Sequence, residues 1–369
     1  MSVVSLYSGA GGLDLGFQRA GFAITWANDI DPSAVETNNK LLGHHVAVAG
    51  DLRQQEIPGR GSAVVVVGGP PCQGFSVAGR MDPDDPRSRH VWDFFAVVDR
   101  IRPRAYVMEN VTALALNKRW TVLRDGLIDQ SVKLGYTTQL LLLNASHFGV
   151  PQARERMFLI GTKSTPLVVP LPTTVDDPPA VRSALESLPD YGQPGNDSIC
   201  VAKVTPARKP VLRRSPFAGM LFNGQGRPLD LDRPAPTLPA SMGGNRTPIV
   251  DQEQLKSGAE PWVVEYHAHL LGGGSPRKVA PPRLRRLTVE EAAAIQTFPN
   301  GTYWSGPQSA QYRQIGNAVP PDLAGHVARA LARALDGESV GPPAGWMERC
   351  QIVYRAAKAG QGPTRGQST

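Results

Sequence analysis

Apolar residues in the first 160 or so positions fall into short unbroken runs, separated by stretches of mixed polarity. SVVSLY (2–7), AITWAN (23–28), HVAVAG (45–50), AVVVVG (63–68), AYVMEN (105–110), TTQLLLLNA (137–145) and RMFLIG (156–161) each read as a strand. Between them, Leu13 to Gly21, residues 34–42, Trp92 to Ile101 and residues 119–134 read as helices. Phe94, Phe95, Val98 and Ile101 share one face at helical spacing. Continuous apolar strands alternating with amphipathic helices predict an α/β domain with a parallel-rich sheet covered on both faces. In such a sheet, functional side chains gather beyond the carboxyl ends of the strands.

The pattern changes after Gly161. Pro, Gly and Arg become dense over 165–285, and TPLVVPLPTTVDDPP (165–179) reads as an exit from the first domain. Periodicity returns at Thr288, which forms a capping-box pattern with Glu291 and opens a helix through Ala292, Ala293 and Ile295. A last helix starts at Pro320-Pro321, carries Leu323, Val327 and Leu331 on one face, and stops near Gly337. The polar tail from about Gly360 reads as disordered. The layout is a discontinuous α/β domain with an irregular basic module inserted in it.

Composition narrows the function classes. A chain of 369 residues suits two domains, and 41% hydrophobic residues allow a sizeable core. No apolar stretch approaches a membrane span, and the start MSVVSLYSGAGG lacks the pattern of a signal peptide, so the chain reads as soluble and intracellular. Three scattered cysteines, Cys72, Cys200 and Cys350, make no disulfide framework, and no Cys/His spacing suggests a metal site. The net charge of +7 suits a nucleic-acid partner. It is concentrated in ARKPVLRR (207–214) and PRKVAPPRLRR (276–286), and the latter run is expected to hold phosphates.

Candidate chemistry sits at the strand ends. YSGAGGLDLGF (7–17) follows the first strand and opens a helix, without the GxGxxG dinucleotide spacing. Asp29 ends the second strand and Asp51 the third, so both face the same rim as that turn. Together they suit a nucleoside: one carboxylate for ribose hydroxyls, one for an adenine amino group. The alternative is that Asp29 caps the following helix, helped by Asp31. Cys72 follows the fourth strand and the stiff Pro70-Pro71 pair. A lone cysteine is commonly an inert buried group, but this position points to the functional rim. Glu109 ends the fifth strand and can face the same cleft, whereas His90 and His147 have no motif tying them to Cys72. A thiol with a proton-donating carboxyl suits attack on an electron-poor ring. Arg154 and Arg156 begin the seventh strand, where alternation puts both on one face, either to bind an oxygen or phosphate or as a solvated pair.

At this point the chain resembles the DNA (cytosine-5) methyltransferases, especially the bacterial modification enzymes. YSGAGGLDLGF, GGPPCQGFS, MENV, PQARERMFLIG, RPAPTLPASMGG (233–244) and QIGNAVPP (314–321) occur in the family's order and span almost the whole chain. The resemblance implies a Rossmann-like S-adenosylmethionine-dependent methyltransferase fold with a smaller irregular target-recognition domain. It divides the chain into 1–175 (catalytic, first part), 176–285 (target recognition), 286–355 (hinge and return to the catalytic domain) and a disordered tail, 356–369.

By the same resemblance, Cys72 is the nucleophile that adds to C6 of cytosine, and Glu109 engages N3 and the exocyclic amino group. Arg156 contacts the base O2 and Arg154 supports the pocket. Tyr7, Ser8, Gly9, Gly11 and Gly12 line the methionine side of S-adenosylmethionine. Asp29 falls at the ribose and Asp51 at the adenine, with Ile30 where the family often has an aromatic. Leu52, Pro70, Asn317 and Ala318 complete the cofactor set. Gln73 and Ser76 belong to a loop, Gln73 to Gly79, that closes over a base flipped from duplex DNA, with Ser76 on a phosphate. Gln225, Arg227 and Asn245 are candidate base readers, with a solvated loop as the plain alternative. The implied partner is double-stranded DNA, methylated to protect it from a restriction endonuclease that shares the site without binding the enzyme. The chain reads as a monomer in the bacterial cytoplasm. One branch of the family acts on transfer RNA but lacks a large recognition insert; a silent DNA-binding relative would lack the PC dipeptide or ENV.

Overall fold

The computed structural model describes residues 1–71, 89–163, 167–346 and 350–355. Cys72, Gln73 and Ser76, the loop Gln73 to Gly79 and the tail 356–369 lie outside the described residues. In chain order come β1 (Ser2–Leu6), α1 (Gly12–Arg19), β2 (Ala23–Asp29), α2 (Pro32–Leu42), β3 (Ala47–Ala49), β4 (Val65–Gly68) and α3 (His90–Ile101). Next are β5 (Ala105–Val111), α4 (Thr112–Leu116), α5 (Thr121–Lys133), β6 (Thr137–Asn144), β7 (Gln152–Ala153) and β8 (Glu155–Thr162). Then follow α6 (Val181–Glu186), β9 (Pro206–Val211), β10 (Met220–Phe222), β11 (Ala235–Pro236), β12 (Ile249–Asp251), α7 (Gln252–Ser257) and α8 (Trp262–Leu271). The chain closes with β13 (Leu284–Arg286), α9 (Val289–Ile295), α10 (Gln308–Asn317), α11 (Pro321–Leu335) and β14 (Gln351–Arg355). No helix among the described residues is long and apolar enough to cross a membrane.

Two compact units share these elements. The first comprises Met1–Phe148, Glu155–Thr173 and Pro321–Thr369. Its sheet runs β14-β6-β8-β5-β4-β1-β2-β3. Strands β3, β2, β1, β4 and β5 pair in parallel, as expected from their unbroken apolar runs. The seventh strand of the sequence reading, β8, departs from that pattern and runs antiparallel to both β5 and β6. Only residues 145–154 separate β6 from β8, too short a link for a helical crossover, so the chain returns beside the strand it left. Strand β14, which the residue pattern did not reveal, adds an antiparallel edge on β6.

One face of the sheet packs Val4, Leu6, Val66, Tyr106 and Met108 against α3, α4 and α5. The predicted face of α3 is the buried one: Phe94, Phe95, Val98 and Ile101 all lie in this core. The alternate residues Val65, Val67 and Val107 are equally buried, so both faces are covered. Helix α1 packs on α11 so closely that a Cβ at Gly16 would collide with Ala324 Cβ and the Pro321 carbonyl.

The second unit comprises Gly149–Arg154 and Thr174–Pro320. It is more regular than its composition suggests. It contains the antiparallel pairs β9–β10 and β12–β13, a parallel bridge of β7 to β11, and the ten-residue helix α8. Leu221, Phe222, Ile249, Trp262 and Tyr266 form its aromatic core. The capping box at α9 is present: Glu291 N donates to Thr288 Oγ1, and Thr288 N donates to Glu291 Oε2, each at 3.0 Å.

Candidate active site at the carboxyl rim of the sheet

The turn after β1 has an unusual backbone. Tyr7, Gly9 and Gly11 all have positive φ, at 53°, 53° and 83°. For a tyrosine that is a strained conformation, of the kind that clusters at functional sites. Gly11 precedes α1, which begins at Gly12 without a side-chain cap. The turn is fixed from β2: Ser8 N donates to the Asn28 carbonyl at 2.9 Å, and Gly9 N donates to Asp29 Oδ2 at 2.8 Å. Asp29 also accepts from Asp31 N at 2.9 Å. Burial pushes the Asp29 carboxyl above its ordinary pKa, while these amides oppose the shift. The cap of α2 is Asp31, which accepts from Ser33 N at 3.0 Å. Asp29 is therefore not that cap.

Below the turn, Asp14 is wholly buried. Ser5 Oγ donates to its Oδ1 at 2.5 Å and Asn38 Nδ2 to its Oδ2 at 2.7 Å. Burial raises the Asp14 pKa to about 6, against the lowering effect of these two donors. In the sequence, Asp14 shows only as an acid inside an apolar helix face.

Asp51 caps a one-turn 3-10 helix, Leu52–Gln54, accepting from Arg53 N at 3.0 Å. Its two oxygens also meet Arg53 Nε and Nη2, each at 3.2 Å. The Arg53 backbone amide, then its guanidinium, hold the Asp51 carboxyl below its ordinary pKa. Leu52 is buried, and Ile30 stands 72% exposed just beyond Asp29. The Tyr7 hydroxyl lies 3.3 Å from His90 Nδ1 and donates to the His90 carbonyl at 3.3 Å. Burial, and then Asp93, push the Tyr7 pKa up.

These residues fit a nucleoside carrying a methionine side chain. Ser8 Oγ is buried with no hydrogen-bond partner among the described residues, inside a glycine turn beside a carboxylate. Ile30 offers an apolar surface beside that carboxylate.

Glu109 sits near the carboxyl end of β5, buried, with Arg156 Nε 3.0 Å from its Oε1. Because β8 is antiparallel, its beginning lies at the same rim as the end of β5, with Val111 opposite Arg156. Asn110 Nδ2 donates to the Pro70 carbonyl at 3.1 Å, tying the end of β5 to the segment that leads into Cys72. A Cβ on Gly69 would lie 3.0 Å from Glu109 Oε2, so glycine there gives the carboxylate its room. The asparagine of ENV is thus a tether, a role that the sequence alone does not signal.

Arg154 does not share a face with Arg156. It precedes β8 rather than lying on it, and is 1% exposed in the second unit. Its Nη2 donates to the Gly316 carbonyl at 2.9 Å and its Nη1 to the Leu238 carbonyl at 3.4 Å. Asn317 and Ala318 end α10 in the same unit. Gln225, Arg227 and Asn245 are exposed on neighbouring loops, joined where Gly226 N donates to the Asn245 carbonyl at 3.0 Å.

Four of the five cations in the run 276–286 are already engaged, and Lys278 is exposed. Arg283 pairs with Asp251 at 2.6 Å, and buried Arg285 pairs with buried Glu291 at 2.6 Å. Buried Arg286 donates to the Thr247 carbonyl at 2.6 Å. Arg277 meets Glu265 at 2.9 Å and lies over the Trp262 ring. These four cations already have partners, from 6 residues away for Glu291 to 39 for Thr247.

A sequence model of C-5 cytosine-specific DNA methylases matches residues 1–333. The chain belongs to that family. This DNA methylase is 33% identical over 343 residues to the Type II methyltransferase M.HindV of Haemophilus influenzae, covering 90% of its own chain and 96% of the relative. It is 32% identical over 348 residues to the Type II methyltransferase M1.HphI of Haemophilus parahaemolyticus, covering 90% and 87% respectively. Its fold is similar to the crystal structure of the S. pombe Dnmt2 methyltransferase, with TM-score 0.64, 18% identity, and 91% and 99% of the two chains covered. The Rossmann-like expectation holds for the methylase's first unit.

Proposed function

We propose that this DNA methylase transfers a methyl group from S-adenosylmethionine to C5 of a cytosine flipped out of duplex DNA, through a transient bond from Cys72 to C6. It would serve as the protective half of a restriction–modification pair, as the names of its relatives suggest. The observation that carries this reading is the Glu109–Arg156 pair at the sheet rim, beside the Gly69-Pro70 backbone. The pair presents a carboxyl and a guanidinium together. That is the donor–acceptor set that the N3, amino and O2 edge of cytosine requires.

C5 of cytosine is a poor nucleophile. Addition of the Cys72 thiolate at C6 forms an S–C6 bond and moves electron density onto N3 and C5. Glu109 shares a proton with N3 as that charge develops, and Arg156 offers an N–H to O2. When bound, S-adenosylmethionine supplies an electrophilic methyl group on a positively charged sulfur. Asp29 would accept from the ribose hydroxyls, Asp51 from the adenine amino group, and Ile30 would cover the ring. Ser8 and Gly9 would meet the methionine portion. Loss of the C5 proton to a base and expulsion of the Cys72 sulfur then release the methylated ring. Flipping costs about a few kcal/mol in lost stacking and pairing, and contacts to the extrahelical base offset it.

The second unit is the proposed target-recognition module, with Gln225, Arg227 and Asn245 available to base edges. The test is methyl transfer from labelled S-adenosylmethionine to duplex DNA and to transfer RNA, by wild type and by Cys72→Ser. Incorporation into DNA alone, abolished by Cys72→Ser, supports the reading. Equal incorporation by the two proteins, or transfer to RNA alone, contradicts it.

A further inference from the structure

The second unit holds a region of uncompensated charge that the base-reading loops do not account for. From Ser198 to Leu229 the chain contains no Asp or Glu, yet it carries Lys203, Arg208, Lys209, Arg213, Arg214 and Arg227. All six are exposed, and among the described residues none forms an ion pair. Five other cations of the unit are paired: Arg182 with Asp232, Lys256 with Asp190, Arg277 with Glu265, Arg283 with Asp251 and Arg285 with Glu291. The two groups have different fates. One is neutralised inside the unit, and the other faces water from a stretch, Ser198 to Leu229, that holds no acid of its own.

The exposed group sits on a braced element. Met220 pairs with Val211 and Phe222 with Pro206 across the β9–β10 hairpin. Leu221 and Phe222 enter the aromatic core beside Trp262 and Tyr266 of α8, and Val204, Leu212 and Phe217 pack against that core. His267, also on α8, lies with Nε2 2.8 Å from the Arg213 carbonyl. Helix α8 is thus the support on which the basic hairpin rests.

Resting on the DNA reading above, we propose that residues 203–214 of the β9–β10 hairpin form a phosphate-gripping site, whose ligand is the sugar–phosphate backbone of the duplex. The site fixes the unit on DNA without reading sequence. Unpaired guanidinium and ammonium groups on a rigid hairpin release counterions when they meet phosphates. Cations already paired inside the unit release none.

The test uses the full chain and two fluorescent duplexes, one carrying the sequence it methylates and one scrambled. Binding is measured over a series of salt concentrations for wild type, for the triple variant Arg208→Gln, Lys209→Gln, Arg214→Gln, and for Arg208→Lys, Arg214→Lys. Each phosphate contact contributes about 0.9 to the slope of log affinity against log salt. The triple variant is therefore expected to lose about 2.7 of that slope on both duplexes, and the lysine variant to keep it. An unchanged slope in the triple variant overturns the proposal, and so does a loss confined to the specific duplex. Thermal melting shows that the variants remain folded. If wild type transfers no methyl group to duplex DNA, the functional reading fails, whatever the hairpin does to the slope.

Discussion

Arg156 Nε lies 3.0 Å from Glu109 Oε1, across the antiparallel pair of β5 and β8. The short link after β6 is what makes this possible, because it turns β8 over and brings its first residues to the rim where β5 ends. Glu109→Gln keeps the shape but loses the ionisable proton. It is expected to lower kcat by about 10²–10⁴, with duplex binding retained. Single-turnover methyl transfer and a binding titration check this. A kcat within a few-fold of wild type would remove Glu109 from the chemistry.

Asp29 ties the turn after β1 to the end of β2 by accepting from Gly9 N at 2.8 Å, and it is the proposed ribose acceptor. A hydrogen bond to a charged group is worth about 1.5–3 kcal/mol. Asp29→Ala is therefore expected to raise the KM for S-adenosylmethionine by roughly ten- to a hundredfold, with a smaller effect on the KM for DNA. Calorimetric titration of S-adenosylmethionine into the variant gives the same answer without turnover.

Much of this rim was legible in the residue pattern, because a buried strand of an α/β sheet is an unbroken apolar run. Asp29 and Glu109 could be placed by counting to where such runs stop. Other features depended on partners distant in sequence. The direction of β8 follows from the length of the link before it, not from its own residues. RLRR at 283–286 looks like a solvated basic run, yet Asp251, Thr247 and Glu291 are what bury it. Helix α8 lies between Pro261 and Gly272 in a stretch dense in Pro and Gly. Its aromatics are held by Phe222, 40 residues away from Trp262. Strand β14 is defined by the edge of β6 that it covers.

Arg285 separates a structural cation from a DNA-binding one. Its partner Glu291 is 1% exposed and also closes the α9 capping box. Arg285→Met leaves that carboxylate buried and unpaired, which costs about 3–5 kcal/mol. A clear fall in Tm is expected, while the salt dependence of duplex binding stays at the wild-type slope.

Asp14 predicts a pH dependence of unusual sign. Its carboxyl has a pKa of about 6 in the folded protein and 3.8 as an ordinary group. Between these values the folded state binds more protons than the unfolded one, so stability from this group falls as pH rises. The contribution is fully present below about pH 4 and is lost by about pH 6, a change of about 3 kcal/mol. Asp14→Asn removes the titration. The difference in unfolding free energy between variant and wild type is therefore expected to shift in the variant's favour from pH 4 to pH 6. A difference that stays flat over that interval contradicts the burial argument.

The bond from Cys72 to the pyrimidine is open to direct trapping. Bisulfite sequencing of DNA from cells expressing the chain identifies the methylated site. A duplex with 5-fluorocytosine at that position, incubated with S-adenosylmethionine, cannot lose its C5 substituent as a proton. A protein–DNA conjugate that survives denaturing electrophoresis is expected, and none with Cys72→Ser. Wild-type protein that methylates ordinary duplex yet leaves the fluorinated one unattached would contradict the bond from Cys72.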